Sequence, residues 1–375
     1  MEILSNALFD ETIVMPELAA VARKVAEGMR ITPEEGILLY TKAETAWLGA
    51  FANIVREQKN GNFAYYNRNI HIEPTNICIY NCTFCSYNQH QSGSSWELTL
   101  EDILRRIDET DDNITEVHIV GGVHPDRDLH YYGEMIKAIK QHRPGLHIKA
   151  FTAIELDYMI RKSGMTLNEG LLKLKEYGLD SLPGGGAEIF DEAVRKVICG
   201  TKSNGKLWLE IHRASHKLGI PSNATILYGH VENYDHRIDH LEKLRQLQDE
   251  THGFNAFIPL KFRNKNNELS WVKEASVVED LRNYAVSRIY LDNIPHLKAY
   301  WPMIGKEVAA LSLAYGVDDL DGTINDSTRI YSMAGADDSS PVMASSDIEE
   351  LISGAGRIPV ERDSLYNTIG DSAVN

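Results

Sequence analysis

The stretch His71-Ile-Glu-Pro-Thr-Asn-Ile-Cys78-Ile-Tyr-Asn-Cys82-Thr-Phe-Cys85 holds three of the four cysteines in the chain. Three residues separate the first two cysteines and two separate the next pair, while Cys199 lies far downstream. Thiolate sulfur is the ligand that iron–sulfur clusters and zinc select. A metal centre closed entirely by protein needs four such ligands, so three cysteines on one short loop predict a four-iron cluster with one iron open to a small molecule.

Other interpretations of this loop remain as alternatives. A structural zinc site would recruit His71 or His90 as its fourth ligand. A plain electron-transfer ferredoxin would need a fourth cysteine nearby and a much shorter chain. Three cysteines that merely share a core would explain neither the spacing nor the polar neighbours. The spacing therefore favours a catalytic iron–sulfur site.

Length and composition bound the class of protein. A chain of 375 residues with 43% apolar and 25% charged residues suits one large α/β barrel or two ordinary domains. The net charge of −16 argues against a nucleic-acid partner, although an anionic substrate remains possible where basic residues gather. There is no apolar run long enough for a membrane span and no signal-peptide pattern at the start. Few cysteines fit a reducing compartment, so we expect a soluble cytoplasmic enzyme.

Residues 1–62 are predicted to form a helical segment. Pro16 to Arg30 carries apolar residues at helical spacing, and Thr32-Pro33-Glu34-Glu35 has the pattern of a helix start. A further helix is expected from about Lys42 to Gln58. We expect these helices to cover the bottom or the side of the main domain.

Strands and helices alternate through residues 63–335. The strands are expected near 69–73, 115–121, 146–152, 179–183, 221–227, 254–260, 296–301 and 317–320. Helices are expected over 100–110, 131–142, 167–177, 190–218 (in two pieces), 237–250, 277–291 and 306–315. This order predicts a (β/α)8 barrel of the TIM type, with seven regular strands if the last is irregular. Residues 336–375 are predicted to be a polar tail with one short helix near 347–353.

Two of the predicted strands carry polar residues on one face. These alternating residues are His71, Glu73 and Thr75 on the first strand, and His296, Lys298 and Tyr300 on the seventh. Helices cover the outside of such a barrel, so the polar face must point into the lumen. Buried polar groups without partners cost about 1–3 kcal/mol each, so a lumen lined this way indicates a ligand cavity. An internal hydrogen-bond network is the alternative for any one of these residues.

With Phe84 placed before its last cysteine, the loop resembles that of the radical S-adenosylmethionine (SAM) enzymes. The resemblance covers residues from about 30 to 335. It implies a [4Fe-4S] cluster held by Cys78, Cys82 and Cys85, with SAM bound as a co-substrate at the open iron. It also implies an external one-electron reductant of the flavodoxin or ferredoxin type.

The same resemblance suggests SAM-binding residues beside Phe84. Gly121 and Gly122, which end the second strand, resemble the glycines that contact the amino group of SAM, although such a pair is often only a turn. Glu188, on a strand-end loop, is the candidate for the ribose hydroxyls, with an exposed helix-start glutamate as the alternative. Arg213 is the candidate for the methionine carboxylate, with a surface arginine as the alternative.

Within this family the chain resembles most closely the enzymes that make menaquinone and deazaflavin precursors. The stretches 181–188, 223–230, 249–254 and 292–296 carry that resemblance. Residues 223–230, 298–301 and 318–323 are typical of the branch that adds the 5′-deoxyadenosyl radical to a small enol ether with two carboxylates. A neighbouring ring-closing branch and a deazaflavin-precursor branch are the alternatives. Relatives often have a neutral residue in place of Glu73.

A substrate with two carboxylates needs positive charge in the lumen of an acidic protein. The residues expected to bind it are His71, Arg263, His296, Lys298 and Tyr300. Charge-assisted hydrogen bonds from the basic residues among them would fix the carboxylates.

Overall fold

The computed structural model describes residues 14–110, 113–324, 330–336 and 341–370. Parallel strands form the centre of the molecule. They are β1 (Phe63–Tyr66), β2 (Asn69–Ile72), β3 (Glu116–Ile119), β4 (His147–Ala150), β5 (Ser222–Tyr228), β6 (Phe254–Lys261), β7 (His296–Ala299), β8 (Asp319–Leu320) and β9 (Ile358–Glu361).

The strands pair in chain order around a barrel. Strands β2, β3 and β4 pair in parallel, and β5, β6, β7 and β8 do the same. The gap between the two sets is bridged by Ser181, which pairs with Lys149, and by Leu182, which pairs with Ser222. The fourth strand predicted from the sequence is thus reduced to isolated bridges at 181–182.

The barrel closes where its last strand meets its first. Tyr65 of β1 pairs with Asp319 of β8, and the Thr323 hydroxyl donates to the Asn69 carbonyl at 2.7 Å. Because β1 and β2 are two parts of one extended segment, the eight positions of a (β/α)8 barrel are complete. The predicted fold class is therefore confirmed.

Helices surround the barrel and precede it. They are α1 (Pro16–Ala26), α2 (Pro33–Lys42), α3 (Thr45–Asn60), α4 (Gln89–Ser92), α5 (Leu100–Asp108), α6 (Leu129–His142), α7 (Ala153–Lys162), α8 (Leu167–Tyr177), α9 (Glu192–Cys199), α10 (Gly205–Lys217), α11 (Tyr234–Thr251), α12 (Val277–Tyr290), α13 (Trp301–Ile304), α14 (Lys306–Ser312), α15 (Ile330–Met333) and α16 (Ser345–Gly354).

Helix α7, between β4 and α8, was not predicted from the sequence. It begins with a capping box, in which the Thr152 hydroxyl accepts from the Glu155 N–H and the Glu155 carboxylate accepts from the Thr152 N–H. This reciprocal pair satisfies N–H groups that the first turn of a helix cannot pair internally. The Thr-x-x-Glu pattern at 152–155 was the available signal for this helix.

The N-terminal helices lie against the outside and the bottom of the barrel. The Tyr40 hydroxyl of α2 donates to Asn283 of α12 at 2.6 Å. Arg56 of α3 is buried, and its guanidinium donates to the carbonyls of Gly61 and Val317. Because Val317 lies two residues before β8, this arginine ties the helical segment to the lower end of the barrel.

The C-terminal tail is part of the sheet. Helix α16 confirms the predicted short helix, but β9 was not predicted, and it pairs in parallel with β1 along four residues. Arg362, directly after β9, is buried and bonds the Asp319 carboxylate of β8 at 2.8 Å through its Nε. The tail therefore packs against the lower end of the barrel.

Over the described ranges, every helix is too short or too polar to traverse a lipid bilayer.

Candidate active site

The three-cysteine loop follows β2, at the carboxyl end of the barrel where such folds carry their chemistry. Cys82 is buried, and Cys78 and Cys85 are half-buried. The loop is held from below by Gly122, whose N–H donates to the Thr75 carbonyl at 2.7 Å. A Cβ on Gly122 would lie 2.3 Å from the Ile77 carbonyl oxygen, so only glycine lets the two segments approach this closely.

The two histidines considered for a zinc site have other partners. His90 contacts the Cys78 carbonyl oxygen at 2.9 Å through its Nε2, and His71 lies inside the barrel beside His118. Within the described ranges, no three His, Cys, Asp or Glu side chains converge on a single-ion position.

The loop fits a cluster whose irons provide positive charge. Burial raises the pKa of Cys82 to about 12, and Lys202 is the strongest of the charges that oppose this rise. A thiol in that setting becomes a thiolate ligand only where a cation offsets the cost of burying its charge. Three irons bound by Cys78, Cys82 and Cys85 would supply that charge.

A cavity of about 290 Å³ opens beside the loop and runs into the barrel lumen. Apolar side chains such as Val120, Leu227, Ile258 and Leu260 form part of its wall. Five of the residues that the sequence selected for cluster, SAM or substrate line it, namely Phe84, Cys85, Arg263, Lys298 and Tyr300. Glu73 also lines it and is 1% exposed.

Buried ion pairs carry the charge of this cavity. In each pair a lysine from one strand meets a carboxylate from a neighbouring element: Lys149 with Glu116 at 2.5 Å, Lys261 with Asp280 at 2.7 Å, and Lys298 with Asp321 at 3.1 Å. Burial disfavours the ionised form of Asp321, but Lys298 and then His71 outweigh burial, and its pKa falls to about 2. The three lysines therefore place ammonium groups in the lumen, each held by a carboxylate.

The rings of His118, His71 and Tyr300 form a row at the cavity floor. His118 lines the cavity, and its Nδ1 lies 3.3 Å from Nε2 of His71. The other ring nitrogen of His71 lies 3.4 Å from the Tyr300 hydroxyl. Burial, and then the neighbouring His71, holds the pKa of His118 well below its usual value, so that imidazole is neutral. His71 is thus beneath the cavity lining and contacts it through His118 and Tyr300.

Arg263 lies at the rim of the cavity, where the loop after β6 begins. Its guanidinium donates to the Met303 carbonyl at 3.1 Å and lies 3.4 Å from the Glu274 carboxylate. These two contacts fix the orientation of the guanidinium, and neither of them is a bidentate pair with a carboxylate.

Arg213 and His296, two of the predicted binding residues, have partners on the outer helices and at the lower end of the barrel. Arg213 lies on α10, where its guanidinium is 2.7 Å from Glu250 of α11 and its side chain is 36% exposed. His296 stands at the lower end of β7, bonded to Asp318 at 2.6 Å and stacked on Tyr366 of the tail. Their surroundings explain both positions, since one pairs across two outer helices and the other is covered by the tail.

Glu188 and the glycines keep positions beside the cysteine loop. Gly121 donates its N–H to the Glu155 carboxylate at 3.0 Å, so the glycine pair links β3 to the start of α7. Glu188 is buried and pairs with Lys202 at 2.5 Å. Glu188 is therefore not the exposed glutamate at a helix start that was considered as the alternative.

Several residues at the site were not among those predicted from the sequence. Glu116, His118 and Lys149 alternate along β3 and β4, so the period-two pattern used for the first and seventh strands would have found them. Lys202 follows α9, and Glu155 lies in the unpredicted α7. Lys202 had no local signal, because its partners come from other segments of the chain.

Comparisons with known proteins agree with this architecture. The family model described as Radical SAM superfamily matches residues 72–244, and that of the CofH/MqnC C-terminal region matches residues 251–373. The first match contains the cysteine loop and the second contains the tail strand β9. Both halves of the barrel and the tail are therefore covered.

Three curated relatives match most of the chain. The aminodeoxyfutalosine synthase of Thermus thermophilus is 43% identical over 364 residues, covering 94% of this chain and 96% of that protein. The cyclic dehypoxanthine futalosine synthase of Streptomyces coelicolor is 39% identical over 93% of this chain and 88% of its own. The 5-amino-6-(D-ribitylamino)uracil–L-tyrosine 4-hydroxyphenyl transferase of Archaeoglobus fulgidus is 38% identical over 85% of this chain and 92% of its own.

Solved structures share the fold at lower identity. Methylornithine synthase (PylB) superposes with a TM-score of 0.70 at 19% identity, covering 90% of this chain and 97% of that one. The FeFe-hydrogenase maturase HydG from Carboxydothermus hydrogenoformans gives 0.71 at 18% identity, covering 97% and 83%. With the cysteine loop and the matched relatives, the conclusion is that this chain is an enzyme of the radical SAM superfamily, in the group that carries the CofH/MqnC C-terminal region.

Proposed function

We propose that this enzyme is an aminodeoxyfutalosine synthase of menaquinone biosynthesis. It would join the 5′-deoxyadenosyl group of SAM to 3-[(1-carboxyvinyl)oxy]benzoate and release 6-amino-6-deoxyfutalosine, methionine and bicarbonate. The observation that carries the proposal is the 43% identity over nearly the whole chain with the Thermus thermophilus enzyme of that name. The stretches 223–230, 298–301 and 318–323, which are typical of that branch, add support.

When bound at Cys78, Cys82 and Cys85, a [4Fe-4S] cluster would supply the electron that cleaves SAM into methionine and a 5′-deoxyadenosyl radical. The electron would come from an external donor of the flavodoxin or ferredoxin type. For SAM itself, Phe84, Gly121, Gly122 and Glu188 remain our candidates. Phe84 is part of the loop and lines the cavity, the Gly122 N–H donates to the Thr75 carbonyl, and Glu188 pairs with Lys202 beside the Phe84 ring. Arg213 is not retained, since it pairs with Glu250 on the outer helices.

The chain's own charges suit a substrate with two carboxylates. The protein is acidic overall, yet Lys149, Lys261 and Lys298 all line one cavity, and Arg263 lies at its rim. A buried ammonium that already has one carboxylate partner keeps further N–H donors for a second. Charge-assisted hydrogen bonds from Lys298 and Arg263 would therefore orient the substrate carboxylates.

The apolar part of the wall has a separate role. A carbon-centred radical takes hydrogen atoms from nearby donors, so the reaction needs a site from which water and mobile groups are excluded. Val120, Leu227, Ile258 and Leu260 offer such a surface. The C–C bond would form against this wall, while the carboxylates face the lysines.

The two other relatives define the alternative functions. One is named for forming a cyclic product, and the other is named as a 4-hydroxyphenyl transferase that acts on L-tyrosine and 5-amino-6-(D-ribitylamino)uracil. Both match most of the chain. In the aminodeoxyfutalosine reaction the adenosyl carbons of SAM end in the product. An enzyme that only abstracts hydrogen would release them as 5′-deoxyadenosine.

Labelled SAM distinguishes these outcomes. Reconstituted, reduced enzyme would be incubated with adenine-labelled SAM and, in separate reactions, the enol ether, dehypoxanthine futalosine, or tyrosine with 5-amino-6-(D-ribitylamino)uracil. We expect label in a product heavier than 5′-deoxyadenosine with the enol ether alone, with bicarbonate and methionine in near-equal amounts. Label found only in 5′-deoxyadenosine, together with consumption of another substrate, would assign the enzyme to that substrate's branch.

A further inference from the structure

Lys202 is a buried cation next to the cysteine loop. It lies in the turn after α9, where its N–H donates to the Cys199 carbonyl at 2.8 Å. The same helix end holds the loop, because the Thr83 N–H donates to the Ile198 carbonyl at 2.9 Å. The Lys202 side chain is 13% exposed, so its ammonium acts through protein and not through water.

The ammonium lies between a carboxylate and an aromatic ring. Its Nζ is 2.5 Å from the Glu188 carboxylate and 5.4 Å from the ring centroid of Phe84, the residue directly before Cys85. The contacts with Phe84 and with the helix end that carries Thr83 fix the distance between the charge and the loop. Lys202 and Glu188 therefore form a rigid dipole at one side of the cysteines.

The ammonium is the charge of this pair that contacts the cysteine loop, through the ring of Phe84 next to Cys85. A positive charge fixed this close to the sulfurs favours any increase in negative charge there.

We propose that Lys202, oriented by Glu188, raises the reduction potential of the cluster that Cys78, Cys82 and Cys85 bind. Reduction adds one negative charge to the cluster, and a fixed positive charge nearby stabilises that state. Net charge and the surroundings of the sulfurs are the main means by which a protein sets such potentials. The proposal rests on membership of the radical SAM superfamily and not on the identity of the substrate.

The test is a redox titration of reconstituted enzyme without SAM, followed by the EPR signal of the reduced cluster. The proteins are the wild type, Lys202→Met, Glu188→Gln and the double variant. At a fixed potential we expect Lys202→Met to lower the ratio of reduced to oxidised cluster about tenfold, a shift of about 59 mV for one electron. Glu188→Gln should shift the potential in the opposite direction, and the double variant should fall between them.

Lys196→Met is the matched control, because Lys196 is exposed on α9, the helix that precedes Lys202. It should leave the potential unchanged. Iron content and the visible spectrum of each protein establish that the cluster is intact, and if Lys202→Met lost it, the sign of the Glu188→Gln shift would decide the question. Shifts of the same sign in Lys202→Met and Glu188→Gln, or no shift in either, would overturn the proposal. Wild-type product formation is measured separately, so failure of the proposed function leaves this result standing.

Discussion

The Lys298 ammonium lies 3.1 Å from the Asp321 carboxylate inside the barrel, where β7 meets the segment after β8. Both residues are almost fully buried. Burial disfavours the ionised form of Asp321, but Lys298 beside it lowers the pKa of Asp321 to about 2, so this carboxylate is ionised at neutral pH. An ammonium held in this way is ready to receive a substrate carboxylate.

Replacing Lys298 with alanine should weaken binding of the enol-ether substrate far more than binding of SAM. Loss of a charge-assisted hydrogen bond corresponds to about a 10- to 100-fold increase in Kd. Isothermal titration with each ligand measures both constants. Lys243→Ala, which removes a lysine on the exposed face of α11, is the control.

The buried partner requires a second variant. Lys298→Ala leaves Asp321 without its cation, which also destabilises the fold. The double variant Lys298→Ala/Asp321→Asn should recover stability but not substrate affinity. Equal weakening of SAM and substrate in the double variant would contradict a specific role for Lys298.

The cysteine ligands make a sharper prediction. Changing Cys78, Cys82 or Cys85 to alanine should abolish cluster binding or SAM cleavage, because a cluster with three protein ligands has none to spare. Cys199→Ala should keep both, although Cys199 is buried nearby at the end of α9. Iron content and methionine release provide the measurements, and loss of the cluster in Cys199→Ala would show that the open-iron assignment is wrong.

Arg362 tests whether the tail belongs to the barrel. Its guanidinium is 1% exposed, bonds Asp319 of β8 and lies 4.0 Å from the ring centroid of Tyr366. Arg362→Ala leaves a buried carboxylate unpaired, so we expect a loss of about 3–5 kcal/mol in the free energy of unfolding. Denaturant titration measures it. Arg105→Ala, which breaks an exposed pair with Asp102, should cost less than about 1 kcal/mol.

Glu155 makes the stability of the fold depend on pH. Burial raises its pKa from 4.5 to about 7, against opposing hydrogen bonds from Thr152 and Gly121. Between those values the folded protein binds a proton that the unfolded chain has released, so the stability from this group falls as pH rises. A glutamine at this position cannot ionise. The free energy of unfolding of Glu155→Gln should therefore increase relative to that of the wild type by up to about 3 kcal/mol between pH 4.5 and 8.

Unfolding midpoints of both proteins across that range provide the measurement. Glu169→Gln is the control, because Glu169 has the same capping position in α8 but is solvent-exposed, and its Thr166 hydrogen bonds lower its pKa. The stability of Glu169→Gln relative to the wild type should not increase as pH rises. A constant difference between wild type and Glu155→Gln would contradict the raised pKa.

The sequence predicted the barrel because its signals are local. Apolar runs and capping patterns placed most strands and helices, and period-two alternation placed Lys298 and Tyr300 at the cavity. The same alternation also predicted His296 at the cavity, whereas His296 lies at the lower end of β7. A strand pattern indicates which side of the sheet a residue faces and not its height along the barrel. Strand β9 escaped detection because Pro359 and polar neighbours obscure its pattern.

The site could be predicted less completely than the fold. Cysteine spacing identified the loop without help from elsewhere in the chain. The Lys202–Glu188 pair and its contact with Phe84 join three separate segments, and no local pattern encodes such a meeting. Arg213 was selected because basic residues are expected in that region of the chain. In the structure it forms an ion pair with Glu250 on a neighbouring helix.

The two neighbours of β1 in the sheet are β8 and β9, which are the last two strands in the described part of the chain. During synthesis β1 therefore leaves the ribosome long before either partner exists. Until then both of its edges expose unpaired N–H and C=O groups, the feature that templates association with other chains. Contacts of such high sequence separation also slow folding. Truncated or stalled forms of this protein should thus be far more prone to aggregate than the finished chain, and co-expression with a chaperone should benefit them most.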